Sequence, residues 1–450
     1  MSKFDVQFSF PSPTFQIGPR IAGRDVVVSF DGGEISSDAG LLLLAEADRR
    51  LGLTRRLAEC LVDRRQSAKV EQPFLDMLRQ RVFGIACGYS DQNDFDTLRS
   101  DPVHKLAVGR TPSDDDLASQ PTLSRFENSV SRTGLLRMSE VLADGFIYRH
   151  RRQPPREIVL DADATDDPTH GQQELSFYHG YYECHCYLPL LVYAQADGGE
   201  QELVASVLRP GNVHAGRGAV SILGRLVDRL QAAFPTASII LRADSGLALP
   251  EVYRWAEEAG IGYAIGLAEN SRLEEAAQPA MRKARAIFEA TGEKAKLFRT
   301  IWYAAESWPK ERQVVVKAEV LQKGENPRFV VHNLPWRADE VYSFYTERGE
   351  AENRIKELKL DLESGRTSCH RFLANQFRLM LHAAAFVLLQ FIRSHLQGTE
   401  LAKAQCHRLR LCLLKVGARV RQSARRIWLQ LPSSYPWQDF WPWLLPQLAQ

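Results

Sequence analysis

The sequence predicts an α/β fold: a mixed sheet flanked by helices, interrupted by a mostly β segment, with helical regions at both ends. Three observations predict it. Apolar residues recur at helical spacing from about residue 37 to 150. After a linker at 151–155 the spacing changes to the alternation typical of strands. Strands and helices then alternate to about residue 267, the order expected for a sheet covered by helices.

The composition is that of a globular protein with an uneven charge distribution. The 450 residues are 44% hydrophobic and 25% charged, which excludes disordered, collagen-like and low-complexity classes. The length predicts roughly two to four domains. Residues 366–450 carry 12 Lys and Arg against 2 acids, whereas the whole chain has 57 against 55. A basic end favours a polyanion partner such as nucleic acid, although a solvated helical surface explains it equally well.

Neither a membrane span nor a secretory signal is predicted. Residues 1–22 lack a charged segment followed by an apolar one, and the apolar run at 379–391 is shorter than the roughly 18–20 residues of a span. Seven scattered Cys favour reduced thiols in a cytoplasm. Cys184-His185-Cys186 lacks a second pair at zinc-finger spacing, so a buried strand is favoured there over a zinc site.

The predicted elements follow in chain order. Strand-like pieces occur within 1–30, with the clearest at 24–30, and the helical pattern follows. The next strands are predicted at 157–163, 184–194, 201–208, 238–244 and 262–267, with helices at 218–234 and 249–259. The segment 270–335 starts helical and continues as strands at 295–302, 313–322 and 327–333. Helices are predicted at 337–364 and 371–396.

Two predicted strands end in carboxylates. Asp161 and Asp163 close the strand at 157–163, and strand alternation places both on one face, about 7 Å apart. Asp244 ends the strand at 238–244. Such an Asp is more often a turn or helix-cap residue. Two of them at strand ends, where ligands of α/β sheets collect, favour a cation site.

A third carboxylate lies on the predicted helix at 337–364. Tyr345, Arg348, Glu352 and Lys359 fall within an arc of about 60° on an ideal helix, at the edge of the apolar stripe. Pairing at i,i+4 explains Arg348 and Glu352 but not the other two.

Three carboxylates from separate segments suit two Mg²⁺ ions, which take oxygen ligands and keep waters and phosphate oxygens. Two such ions about 3.5–4 Å apart activate a water or a 3′-hydroxyl and stabilise the leaving oxygen of an in-line displacement at phosphorus. Basic side chains beside them suit DNA phosphates. The sequence therefore predicts metal-dependent phosphodiester chemistry.

The sequence resembles the DDE transposases of insertion sequences, whose catalytic domain is RNase H-like. Tyr345-x2-Arg348-x3-Glu352-x6-Lys359 matches the Tyr-Arg-Glu-Lys signature of one large group in residue and spacing. Asp163-Ala164-Thr165 matches the Asp-x-Thr at the first strand end, and 242–246 is similar to the segment around the second Asp. Segments 119–126 and 328–331 are also similar, so the resemblance covers the whole chain.

The resemblance implies roles for the matched residues. It implies metal ligands for two Mg²⁺ ions per site, with Mn²⁺ tolerated, at Asp163, Asp244 and Glu352. It implies contacts to the cleaved DNA end from Tyr345, Arg348 and Lys359. Asp161 precedes Asp163 on the same strand face, so either is open as the first ligand; the Asp-x-Thr pattern favours Asp163.

The resemblance also implies how the chain is divided. The parts are a mainly helical DNA-binding region (1–150), an RNase H-like core in two parts (151–269 and 336–398), a β-rich insertion (270–335) and a basic C-terminal region (399–450). In related enzymes an aromatic from the insertion stacks on a flipped base. Trp302 and Trp308 are candidates for that role, although core packing is the favoured explanation of each.

The implied activity is cleavage at the ends of a mobile element and joining of the 3′-hydroxyls to target DNA. The terminal regions would bind inverted repeats, as a homodimer on DNA, in a bacterial cytoplasm at the nucleoid. Two alternatives stay open: a metal-dependent nuclease without strand transfer, and a non-catalytic DNA-binding derivative. His170 and His214 are weaker candidates for the site, since a lone loop histidine is usually solvated.

Overall fold

The first described elements are three short strands. The structure, a computed structural model, describes residues 14–16 and 20–449. The strands are β1 (Phe15–Gln16), β2 (Val27–Val28) and β3 (Ile35–Ser36). The strand predicted at 24–30 is thus wrong except for two residues. Residues 1–13 and 17–19, which include most of the segment examined for a secretory signal, lie outside the described residues.

The helical prediction for 37–150 is confirmed. Its helices are α1 (Leu41–Leu51), α2 (Leu53–Glu59), α3 (Phe74–Ala86), α4 (Phe95–Leu98), α5 (Pro102–Val108), α6 (Gln120–Asn128) and α7 (Arg132–His150). Side chains cap two of them, because Asp101 accepts from the first turn of α5 and Ser131 accepts from that of α7.

The remaining elements build a sheet and its surrounding helices. In chain order they are β4 (Glu157–Ala164), β5 (Asp167–Pro168), β6 (Phe177–His179), β7 (Cys184–Tyr187), β8 (Leu190–Ala196), β9 (Gln201–Val207), α8 (Ala219–Ala233), β10 (Ser238–Ala243), α9 (Pro250–Glu258), β11 (Gly262–Leu267), α10 (Ser271–Thr291), β12 (Ala295–Tyr303), β13 (Arg312–Leu321), β14 (Gly324–Glu325) and β15 (Arg328–His332). The last part contains α11 (Ala338–Thr346), α12 (Gly349–Lys356), α13 (Phe372–Ser394), α14 (Cys406–Leu409), β16 (Ala418–Gln422), β17 (Ile427–Gln430) and α15 (Phe440–Ala449).

One mixed sheet runs through residues 157–332. Its strand order is β12-β13-β15-β11-β10-β4-β8-β9, with β14 paired to β13. The pairs β4–β10 and β10–β11 are parallel and the others are antiparallel. Because β4 and β10 run the same way in the middle of the sheet, their carboxyl ends lie side by side.

The strands predicted within 270–335 belong to this same sheet. β15 pairs with β11, and β13 and β12 extend the sheet outward. α10 packs into the same apolar core as α8 and α9, through residues such as Ala277 and Met281. The strand predictions are confirmed, and the segment shares its core with the rest of the sheet. The domain bounds given above stay a prediction.

A strand predicted at 184–194 is in fact two strands. β7 belongs to a small sheet of order β5-β7-β6, whereas β8 belongs to the main sheet. The chain leaves one sheet for the other at Leu188 and Pro189. Proline lacks the N–H that would continue the ladder of hydrogen bonds, which explains the break at this point.

The helix predicted at 337–364 is also interrupted. α11 ends at Thr346, a turn occupies 347–348, and α12 leads into a π-helical turn at Glu357–Asp361. The helix predicted at 371–396 is confirmed as α13. It is long and apolar enough to cross a membrane, but 83% of its most apolar window is buried inside the protein. Packing against α3 and β9 therefore explains its composition.

The C-terminal region was predicted to be helical, and this is wrong in part. β16 and β17 form a hairpin that pairs with β3, between the helical turns at 406–414 and α15. Pairing with β3, which lies far away in sequence, supplies the hydrogen bonds that local helical spacing could not reveal. The two terminal regions share one apolar core with α13, which includes Leu41, Phe386 and Leu444.

A buried histidine lies near two arginines in this helical core. His382 of α13 is fully buried, and its Nδ1 lies 2.7 Å from the backbone oxygen of Leu362. Burial, followed by the charges of Arg81 and Arg378, lowers the pKa of His382 to about 3. The folded protein therefore keeps this imidazole neutral, with Nδ1–H donating to Leu362.

Mild acid is therefore expected to destabilise the protein through His382. The unfolded chain binds a proton at this residue below its usual pKa of about 6.5, and the folded chain does so only near 3. The free energy of unfolding should fall as pH drops from about 6.5, by up to about 1.4 kcal/mol per pH unit. Denaturation between pH 6.5 and 5 should give a shallower dependence for His382→Gln. Equal slopes in the two proteins would contradict the prediction.

Candidate active site

Three carboxylates from separate elements line one cleft. Parallel pairing places Ala162 of β4 opposite Ala243 of β10, so the next residues, Asp163 and Asp244, lie side by side. Glu352 reaches the same cleft from α12. The cleft has a volume of about 790 Å³ and is lined by all three carboxylates. The structure thus brings together the three residues that the sequence singled out.

One arginine bridges two of these carboxylates. Arg348 lies in the turn between α11 and α12, with Nη1 3.2 Å from Oδ2 of Asp163 and Nη2 2.6 Å from Oε1 of Glu352. The pairing of Arg348 with Glu352 that the i,i+4 spacing suggested is present, and Arg348 also reaches Asp163. Its charge offsets the negative charge that the carboxylates concentrate in the cleft.

Crowding of negative charge is visible in the pKa of Asp163. Burial, followed by the charge of Asp244, raises that pKa to about 7, against the opposing charge of Arg348. A divalent cation bound between the carboxylates would relieve this repulsion. Carboxylate oxygens are the ligands that hard cations prefer. The residues present therefore fit a metal ion of this class.

Asp244 also shapes the turn after its strand. Its Oδ1 accepts a hydrogen bond from the backbone N–H of Gly246 at 2.9 Å, which closes the short 3-10 turn Ser245–Leu247. This is the cap role weighed against a metal-binding role for such an Asp. The carboxylate still lines the cleft, so the cap holds it in place there.

Asp161, the alternative first ligand, is engaged elsewhere. Its two oxygens accept from Nε and Nη2 of Arg242 at 2.6 and 2.8 Å, and Oδ2 also accepts from Nε2 of Gln201 at 2.6 Å. The side chains of Asp161 and Arg242 are both 1% exposed. Asp161 does not line the cleft. Of the two aspartates, Asp163 is the one placed with the other carboxylates.

Arg242 connects the two strands that precede Asp163 and Asp244 with the end of α11. It lies on β10, and the pair with Asp161 ties it to β4. Its Nη1 donates to the backbone oxygen of Phe344 at 2.7 Å and lies 3.2 Å from Oε2 of Glu347. It therefore also holds the end of α11, where the chain turns into the helix of Glu352. Sequence patterns alone predicted no role for Arg242, although it lies in a matched segment.

Lys359 lines the cleft beside the end of β4. Its Nζ lies 2.7 Å from Oδ1 of Asp166 and 3.0 Å from Oγ1 of Thr165. Both Lys359 and the neighbouring Lys356 line the cleft. Basic side chains thus stand beside the carboxylates, as predicted for contacts to phosphate.

Tyr345 lies next to Arg348, one of its predicted partners, at the back of the site. It is half-buried against β11, where a Cβ at Gly266 would come within 2.4 Å of its hydroxyl oxygen. Only glycine permits this close approach. Tyr345 does not line the cleft. Burial raises the pKa of Tyr345 and the neighbouring guanidinium of Arg348 lowers it, so the hydroxyl lies next to Arg348, as the helical arc predicted.

An aromatic wall of the cleft escaped the sequence analysis. His179, Tyr181 and Tyr182 line the cleft from the tight turn between β6 and β7. Tyr181 is 83% exposed, and its ring meets that of Tyr182 edge-on at 5.0 Å. The available signal was a pair of tyrosines in a turn shortly after the Asp-x-Thr segment. Exposed aromatic rings beside a phosphate site suit stacking on a base.

A family comparison identifies the group of proteins to which the chain belongs. The family described as transposase DDE domain group 1 matches residues 19–450. The chain belongs to this family of DDE transposases. A search of curated proteins finds no match. The Tyr-Arg-Glu-Lys group stays a resemblance of the sequence.

The tryptophans considered for base stacking lie outside the cleft of this transposase. Trp308 packs against Tyr253 and Tyr303 at ring distances of 5.1 and 5.5 Å, so packing explains it. Trp302 is 65% exposed on the outermost strand of the sheet, β12. Of the aromatic residues considered, only those at 179–182 line the cleft.

Of the weaker candidates from the sequence, one histidine lies at the cleft and the others do not. His214 lines the cleft, whereas His170 is exposed away from it. Cys186 is fully buried on β7, which agrees with the strand favoured over a zinc site.

A metal-capable group found only in the structure lies at Glu357, Asp361 and Cys406. Glu357 is already paired with Arg354 at 2.6 Å and Arg393 at 3.0 Å, so its charge is offset without an ion.

Proposed function

We propose that this DDE transposase binds terminal inverted repeats, cleaves the element ends by metal-dependent hydrolysis and joins the 3′-hydroxyls to target DNA. One observation carries the proposal: Asp163, Asp244 and Glu352 meet in a cleft that also holds basic side chains. The order β9-β8-β4-β10-β11, with β4, β10 and β11 parallel, supports an RNase H-like core.

The three carboxylates would hold two Mg²⁺ ions, with Mn²⁺ tolerated. When bound, such ions supply a hydroxide-like nucleophile and stabilise the leaving oxygen. Lys359 and Arg348 would bind phosphates of the DNA end, and Arg348 must release at least one carboxylate to do so. Tyr345 would support this contact to the DNA end, since its hydroxyl lies beside the guanidinium of Arg348. No covalent intermediate on Tyr345 is implied.

The wider assembly follows the same proposal. We expect a homodimer on paired DNA ends, because two ends must be joined in one event. The regions 1–150 and 399–450 would contact the inverted repeats, and they share one core in the structure. We place the protein in the bacterial cytoplasm at the nucleoid, without a membrane.

Cleavage of a labelled duplex tests the proposal. The duplex carries the terminal repeat and its flank, taken from the DNA that borders the gene. Incubation with Mg²⁺ should give cuts at the repeat boundary, and EDTA should abolish them because the carboxylates cannot activate water alone. A supercoiled target in the same reaction should yield joined products.

The outcomes separate the alternatives. Cuts without joined products would favour a nuclease with the same core. Specific binding without any cleavage in Mg²⁺ or Mn²⁺ would favour a non-catalytic DNA-binding derivative. Cleavage that persists in EDTA would contradict a metal-dependent site.

A further inference from the structure

The β16–β17 hairpin presents a charged face to solvent. Arg419 lies opposite Gln430, and Arg421 lies opposite Trp428, so these four side chains share one face of the ribbon. All four are exposed, and Trp428 is 45% exposed. The other face carries residues such as Val420, which pack into the helical core. The ribbon is therefore amphipathic, with arginines and a tryptophan outward.

Among the described residues, no carboxylate neutralises the arginines of the ribbon. Arg425 and Arg426 in its turn add to Arg419 and Arg421. Within the part of the chain that the structure describes, none of the four has a carboxylate oxygen within 4.0 Å. Such a concentration of unpaired charge on one rigid element raises the local positive potential and attracts polyanions.

An acidic loop approaches the ribbon but leaves this charge intact. Nε2 of Gln422 donates to Oγ of Ser113 at 3.0 Å, which brings the loop 114–116 close to the hairpin. Asp116 of that loop already pairs with Lys105 at 3.2 Å and with Arg99 at 3.5 Å. Asp116 is therefore already paired within the helical body.

The ribbon is fixed in place before any partner arrives. Ala418 pairs with Ser36 of β3, and the backbone N–H of Val420 donates to Glu34 at 2.7 Å. The backbone N–H of Ser423 donates to the backbone oxygen of Arg426 at 2.9 Å, which closes the turn. A surface that is already ordered loses little entropy on binding.

We infer that the exposed face of the β16–β17 hairpin binds the phosphate backbone of duplex DNA outside the cleft. This inference rests on the proposed function, since it assigns a second contact to the same DNA. The positive charge of this face is complementary to the phosphates of DNA. A two-stranded ribbon also has dimensions that the major groove of B-DNA admits. Guanidinium forks bind phosphate oxygens, and Trp428 adds apolar contact beside them. None of the hairpin residues lines the cleft.

Salt-dependent binding of the full-length protein to duplex DNA tests the inference. The probes are a labelled duplex with the element end and one of random sequence, in EDTA so that no cleavage occurs. The double variant Arg419→Gln/Arg421→Gln should bind both roughly tenfold more weakly at moderate salt. The slope of log affinity against log salt should become shallower by about 2, since two phosphate contacts are lost. Trp428→Ala should weaken binding with an unchanged slope.

A matched control removes the same charge elsewhere. Arg282→Gln/Lys283→Gln changes two exposed basic residues of α10, a helix that packs into a different apolar core from the hairpin. This variant should leave the slope unchanged. Arg419→Lys/Arg421→Lys keeps the charge and should retain the wild-type slope. Equal slopes for wild type and Arg419→Gln/Arg421→Gln, or an equal loss in the α10 variant, would overturn the inference. Absence of any duplex binding by the wild type would instead contradict the proposed function.

Discussion

Replacing Arg242 with methionine is expected to destabilise the protein by about 3–5 kcal/mol, because it leaves the Asp161 carboxylate buried without its partner. Asp161 and Arg242 are both 1% exposed and form two hydrogen bonds at 2.6 and 2.8 Å. Chemical denaturation of the wild type and of Arg242→Met measures the difference. A loss below about 1 kcal/mol would show that the pair is not charged or not buried in solution.

The double variant Asp161→Leu/Arg242→Met separates stability from positioning. Replacing a buried ion pair with apolar residues of similar size is often neutral, so most of the lost stability should return. The link from Arg242 to Phe344 at the end of α11 does not return. Mn²⁺ affinity measured by calorimetry should therefore stay roughly 10–100-fold below that of the wild type, the range typical for lost support of metal ligands.

Stability and Mn²⁺ affinity together distinguish two roles for Arg242. Recovery of both stability and Mn²⁺ affinity in the double variant would show that Arg242 only balances a buried charge. Recovery of stability alone would support Arg242 as a positioning residue for Asp163, Asp244 and Glu352. Absence of Mn²⁺ binding in the wild type would contradict the metal site itself.

Local sequence patterns were sufficient to predict the central strands of the sheet. β4 and β10 are apolar runs that end in Asp, and parallel pairing alone brings Asp163 beside Asp244. The helices to residue 150 follow from apolar spacing in the same way. These elements are specified by residues close in sequence, which is why periodicity predicts them.

What the sequence did not predict depends on distant contacts. The β16–β17 hairpin is stabilised by β3, almost four hundred residues away, and no local pattern marks that pairing. The Asp-x-Thr pattern favoured Asp163 over Asp161, but the physical reason did not show in the sequence: Arg242, on another strand, pairs with Asp161 alone.

Glu352→Gln is expected to have the largest effect on cleavage, at about 10³-fold or more in rate. The substitution keeps the size of the side chain and removes the charge that would help to hold a metal ion, a contribution of several kcal/mol to the transition state. Glu352 is 43% exposed, so the fold should tolerate the change within about 0.5 kcal/mol. DNA binding in EDTA should be retained, because this carboxylate contributes no attraction to phosphate.

Glu350→Gln supplies the control for Glu352→Gln on the same helix. Glu350 is 55% exposed, pairs with Arg354 at 3.1 Å and lies outside the cleft. Surface pairs of this kind contribute little, so the variant should cleave at the wild-type rate. Cleavage that survives Glu352→Gln would mean that the site lies elsewhere. An equal loss in both variants would indicate that the charge of α12, rather than a carboxylate in the cleft, supports the reaction. A selective loss in Glu352→Gln, together with weaker Mn²⁺ binding, would identify Glu352 as a metal ligand.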